Sequence, residues 1–168
     1  MQIRNMTRCA VMLTVALVIF VLESYVPSVL PVPGAKLGLS NIITLITMHL
    51  MGYKNSFIIL ILRITIGSFV FAGLMTFMYS ICGGVLSFVV LLAFYKLFGR
   101  KYIIFSGVLS AVFHNIGQLL VAAFVLKSMS VFVYFPALCV IGGMAGFFTG
   151  AVAKVCIDNK YIQALFID

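Results

Sequence analysis

The sequence predicts an all-α fold: an integral membrane bundle of six transmembrane helices with both termini in the cytoplasm. Three observations predict it. The first is composition, because the 168 residues are 64% hydrophobic and only 8% charged, with a mean hydropathy of +1.28. A soluble domain carries about 25% charged residues. The second is a series of apolar segments at about 6–26, 38–53, 55–72, 74–95, 102–126 and 130–154, most of them near the roughly 20 residues that cross a bilayer core. The third is the placement of Lys and Arg. With six helices and both ends inside, Arg4, Arg8, Lys54, Lys96, Arg100, Lys101, Lys154 and Lys160 fall on the cytoplasmic side and only Lys36 and Lys127 outside, the bias that orients membrane proteins. Almost nothing is left over for a soluble region, so 1–168 reads as one membrane domain.

The first helix begins behind Arg4 and Arg8. A signal peptide would end in a small-residue cleavage site, whereas this apolar run leads into Glu23-Ser24-Tyr25 and prolines, so it is read as a span. The segment 27–37 holds Pro27, Pro31, Pro33 and Gly34, with Gly38 just beyond. Proline fixes φ and glycine admits φ > 0, which makes this an irregular outer loop. Such backbone is either an exposed connector or, at membrane depth, the lining of a cavity. Residues 64–95 form one uncharged stretch of 32, too long for a single crossing, and Gly73 is the expected turn between helices three and four. Fusing the two would leave the basic residues almost evenly split between the two sides. Small residues at helical spacing mark places where backbones approach: Gly142, Gly146 and Gly150 in the last helix, Thr76, Ser80, Gly83 and Ser87 in the fourth, and Ala10 with Thr14 in the first. The Ala10–Thr14 face can serve the protein's own core or a partner subunit.

A net charge of +8 would point to nucleic acid in a soluble chain. Here the basic residues are dispersed at helix ends, the pattern that orients a membrane protein, and no nucleic-acid partner is expected. Cys9, Cys82, Cys139 and Cys156 have no paired spacing, so neither a metal knuckle nor a disulfide framework is indicated. The chain lacks a phosphate-binding loop of the GxxxxGK[ST] type. Its three acids, Glu23, Asp158 and Asp168, cannot assemble an aspartate-rich magnesium site. No catalytic set, metal site or cofactor is expected, and uptake against a gradient would need a separate energising subunit.

The polar residues inside the spans carry the chemistry. Arg63 lies about eight residues into the third helix, roughly 12 Å deep. A charge at that depth is costly and by default marks a functional site with a named partner. Either Glu23 reaches it or a ligand supplies the negative charge. In the fifth helix Ser110, His114, Gly117 and Gln118 share one face at i, i+4, i+7 and i+8, with Asn115 beside them. These residues serve either interhelical hydrogen bonding or a binding site. Lys36 and Asn41 lie before and within the start of helix two. Lys36, Arg63 and His114 can therefore converge on an outward pocket of positive potential, with Asn41, Asn115 and Gln118 orienting a carboxylate or phosphate. His49 lies near the inner end of helix two and looks unrelated.

At Pro33–Thr44, PGAKLGLSNIIT, and at Ser106–Ala123, SGVLSAVFHNIGQLLVAA, the chain resembles the bacterial family called heptaprenyl diphosphate synthase component I, also known as Gx transporter proteins. That family in turn resembles the substrate-binding S components of energy-coupling factor vitamin transporters. The resemblance implies a six-helix protein of the bacterial plasma membrane, with an outward cavity partly closed by the loop after helix one. It also implies partners, namely a membrane scaffold subunit and two ATPases. S components meet the scaffold through an Ala-xxx-Ala motif in the first helix, and the matching positions here are Ala10 and Thr14, a departure at the second.

The expected function is therefore non-enzymatic capture of a small anionic metabolite, vitamin-like or isoprenoid-related, from outside the cell. The alternative is a non-catalytic membrane accessory protein of prenyl diphosphate or menaquinone synthesis, in which the polar residues only pack helices. A channel or permease working alone fits less well, because no polar path leads from the outer half down to His49.

Overall fold

The computed structural model describes residues 2–25 and 38–167, and the described residues are helical almost throughout. The helices are α1 (Gln2–Tyr25), α2 (Asn41–Met51), α3 (Tyr53–Gly67), α4 (Gly73–Phe98), α5 (Ile103–Leu126), α6 (Phe135–Asp158) and α7 (Lys160–Ile167). A π-helical turn, Ser68–Ala72, ends α3, and a 3-10 turn, Met129–Tyr134, precedes α6. Four stretches are long and apolar enough to cross a membrane: Ile3–Tyr25, Tyr53–Phe98, Ile103–Leu126 and Met129–Asp158. Large apolar side chains cover the outside, among them Val11, Val18 and Leu22 on α1 and Met144, Phe147 and Phe148 on α6. A surface of this kind requires lipid as its solvent. The protein is a helical membrane protein.

The 46-residue stretch Tyr53–Phe98 is two antiparallel helices. Phe57 packs on Phe88 with ring centroids 5.0 Å apart, and Phe69 on Phe77 at 5.1 Å. Gly84 faces Leu60 and Ile64 so closely that a Cβ there would lie 2.7 Å from Ile64 Cδ1. The chain reverses at Ala72-Gly73, where Gly73 has φ +83°, a conformation that a Cβ disfavours. This is the turn expected from sequence.

α2 is shorter than the expected 38–53. Its 11 residues rise only about 16 Å, roughly half a bilayer core. Each end has a cause of its own. Residues 38–40 are held in a turn by a side chain from α1, described below, and Gly52 at φ +83° stops the helix. α2 touches α1, α3, α4, α5, α6 and α7, and eight of its residues, from Asn41 to Leu50, are buried. A helix with apolar side chains on every face, and with Thr47 bonded back to its own carbonyls, belongs in such a central position. Its Met48, with Ile59, Leu60, Ile64, Leu91 and Ile157 from other helices, belongs to the main core.

α5 lies between α4 and α6, and glycines make both contacts. A Cβ on Gly117 would lie 2.7 Å from Gly83 Cα, and one on Gly146 would lie 2.6 Å from Val108 Cα. Gly107 and Gly150 meet along the same α5–α6 seam. Both small-residue stripes therefore serve internal packing, where close backbones gain dispersion contact that lipid cannot match. The last helix begins at Phe135 rather than near 130, because Ser128 caps a 3-10 turn through Ser130 N. α7 was not anticipated. Its eight residues are too few to cross a bilayer. It packs Ile162 and Phe166 onto the core, while Arg8 donates to Phe166 O at 3.0 Å.

Candidate functional site

Arg63 projects from α3 into the bundle and is 3% exposed. Its Nη2 donates to Asn41 Oδ1 at 2.9 Å, while Nε and Nη1 find no hydrogen-bond acceptor, nor does Asn41 Nδ2 have one. Among the described residues Arg63 has no carboxylate within ion-pair distance, although Glu23 is close enough to act on it electrostatically.

The Glu23 carboxylate is engaged elsewhere. It accepts from Gly38 N, from Leu39 N at 3.2 Å, and from Ser40 N and Ser40 Oγ at 3.4 Å. Three successive N–H groups around one anion make a nest. The negative charge also sits at the N-terminus of α2, where the helix dipole favours it. Ser40, the residue before α2, makes no side-chain cap of its own. Glu23 thus fastens the end of α1 to the start of α2.

His114 enters from α5. Its imidazole lies against Gly83 of α4, and Gly83 Cα in turn meets Gly117, so the glycine contact brings the ring inside the bundle. Gln118, one turn on, places Nε2 3.0 Å from His114 Nε2, and Gln118 Oε1 has no partner. Gly38 completes the junction. At φ +78° it lies where a Cβ would be 3.0 Å from Asn41 Nδ2 and 3.1 Å from His114 Cδ2. Arg63, His114, Glu23, Gly38, Ser40 and Ser80 line one cavity together with Phe20 and Ile64. Its volume is ≈ 10 Å³, room for about one water molecule.

Of the residues singled out from sequence, the structure brings Asn41, Arg63, His114 and Gln118 together. Asn115 is not with them. Its Nδ2 donates to Leu138 O of α6 at 2.9 Å, and its side chain fills the space above Gly142, so it joins α5 to α6. Lys36 and the outer loop 27–37 lie outside the described residues. Ala10 and Thr14 are on the exposed face of α1, with Thr14 Oγ1 bonded back to Ala10 O at 2.9 Å. His49 is remote from the cluster, bonding Leu45 O and packing edge-on against Tyr95. Sequence reasoning missed Ser40 and Ser80 as lining residues and the nest around Glu23. Ser80 was visible only as one member of a small-residue stripe.

The cluster is a buried cation and imidazole with under-partnered amides, which suits an anion. Among the described residues no three His, Cys, Asp or Glu side chains lie close enough together to hold a metal ion. Comparison with curated proteins and with solved structures gives no match. A family model described as heptaprenyl diphosphate synthase component I matches residues 12–156, a range that contains α2 to α5 entire and every member of the cluster. The chain belongs to the heptaprenyl diphosphate synthase component I family.

Proposed function

We propose that this protein is the substrate-capturing membrane subunit of an energy-coupling-factor-type uptake system, taking a small anionic metabolite from outside the cell. In this reading six membrane-inserted helices place both termini in the bacterial cytoplasm, and a scaffold subunit and two ATPases supply energy and release. The subunit itself catalyses nothing. One observation carries the proposal: Arg63 is buried with two of its three guanidinium nitrogens lacking acceptors, a state costly enough that an anionic partner is the natural compensation. The lone acid nearby is already committed to the amides of residues 38–40. In this reading the small cavity enlarges when Glu23 and Gly38 separate, which opens the α1–α2 junction to the outer side.

The test is purification from the native host followed by native mass spectrometry for a retained small molecule. Arg63→Ala is expected to lower retention by roughly 100-fold or more, the usual cost of deleting one partner of a buried charged contact, while leaving the protein folded in detergent. Unchanged retention would remove the reading.

The family description and the small cavity favour a second reading, a non-catalytic membrane component of prenyl diphosphate synthesis. Under that reading the protein co-purifies with a soluble prenyl synthase rather than with a scaffold and ATPases, and carries no small molecule.

A further inference from the structure

We propose that the groove between α5 and α6, at the end of the bundle opposite the Arg63 cluster, binds one anionic phospholipid. The lipid phosphate sits among Arg100, Lys101 and Lys154, and an acyl chain runs along Phe105, Val108 and Phe147. These side chains line a single groove of ≈ 370 Å³ that is far more apolar than polar.

The glycine seam creates it. Because Gly107, Gly146 and Gly150 let the two backbones touch, side chains on either side of the seam diverge instead of interdigitating, and a furrow opens toward lipid. Phe105 and Phe147 are 55% and 60% exposed and form its rims. The antiparallel pairing of α5 and α6, shown by Ile104 against Gly150 and Val108 against Gly146, brings Lys154 level with Arg100 and Lys101. Three cations then share one end of an apolar furrow, and among the described residues none of them has an ion-pair partner. Lys101 Nζ lies 5.4 Å from the Tyr102 ring centre, and Tyr102 stacks edge-on with Phe98. An aromatic and basic cluster at a helix end is the composition found at a membrane–water interface. Basic pockets between helices at that level hold anionic headgroups. A soluble anion would use the cations and ignore the furrow. A zwitterionic lipid would use the furrow and leave the cations uncompensated.

The chain contains no tryptophan, so Phe147→Trp introduces a single tryptophan, selectively excitable at the red edge of protein absorption, at an exposed rim position. In mixed micelles, phosphatidylglycerol with brominated chains is expected to quench it at roughly tenfold lower mole fraction than brominated phosphatidylcholine, given the attraction each surface cation exerts on an anionic headgroup. Combining R100Q, K101Q and K154Q should make the two curves coincide, whereas Arg4→Gln with Arg8→Gln, at a separate basic site, should leave them apart. Should the triple variant fail to fold, Lys154→Gln alone is expected to narrow the gap about twofold. Equal quenching by both lipids overturns the proposal, as does a preference that survives loss of the three cations. Relief of quenching by inorganic phosphate would also overturn it, by showing an ion site without a lipid.

Discussion

The two halves of the bundle are assembled by opposite means. In α4, α5 and α6, backbones meet directly through Gly83, Gly117, Gly107, Gly146 and Gly150, and the buried amide Asn115 finds a carbonyl on the facing helix. Around α1, α2 and the start of α3, contact is made by polar side chains. Glu23 holds three amides of the turn before α2, Ser56 Oγ donates to Thr44 O at 2.7 Å, and Arg63 donates to Asn41. In this half Arg63 Nε and Nη1 and Asn41 Nδ2 are left incomplete, and on the glycine side the groups left so are His114 Nδ1 and Gln118 Oε1, where α5 turns toward the cavity. The glycine half has one arrangement, because interpenetrating backbones cannot slide without clashing. The polar half has groups that can trade partners. The cavity lies where the halves join, with His114 fixed by the rigid side and Glu23, Gly38 and Arg63 supplied by the adaptable one.

Substitutions can break or sharpen this contrast. The largest effect is expected from Gly117→Leu, which forces a side chain into the Gly83 backbone. Overpacking usually costs about 1–3 kcal/mol, and with no flexible neighbour to yield the cost here should exceed that, seen as loss of folded protein in thermal unfolding in detergent. Glu23→Ala comes next. It strips the acceptor from the amides of residues 38–40, costs about 2 kcal/mol, and should accelerate hydrogen exchange in residues 38–42 without altering exchange in α5. A uniform rise through α5 would show that the two halves are not separable. The smallest effect is expected from Arg63→Met. Replacing an under-partnered buried ion with an apolar chain of similar length is often neutral or stabilising, so its stability should stay within about 1 kcal/mol of the parent. A destabilisation of about 3 kcal/mol or more would mark Arg63 as a structural residue rather than a ligand group.

Much of the architecture was legible because hydrophobicity and glycine act locally. The reversal at Gly73 and the glycine contacts of α4 and α6 appear in the structure where composition and spacing put them, and the apolar segments are helical, although α2 and α6 begin later than expected. The shortness of α2 was not legible, since it depends on a contact between Glu23 and amides fifteen or more residues away. α7 escaped for a different reason: eight residues are below the length at which periodicity speaks. In the site, Arg63, His114 and Gln118 were identifiable because polar groups in a span need an interior. Asn115, adjacent to His114, went to the other neighbour because consecutive helical residues point about 100° apart. A glycine-lined helix flanked on both sides has two interiors, and spacing alone does not choose between them.

The hairpin of α3 and α4 also has a consequence for how the chain enters the bilayer. No charged residue lies between Arg63 and Lys96, so an insertion machinery reading flanking charges would receive no instruction inside this stretch. Only the reversal at Ala72-Gly73 makes the segment return to the side from which it started. If the six-helix topology proposed above holds, the sidedness of α5 and α6 depends on this turn together with the basic residues that flank them, and a residue that cannot adopt φ +83° at position 73 sets the hairpin against those charges.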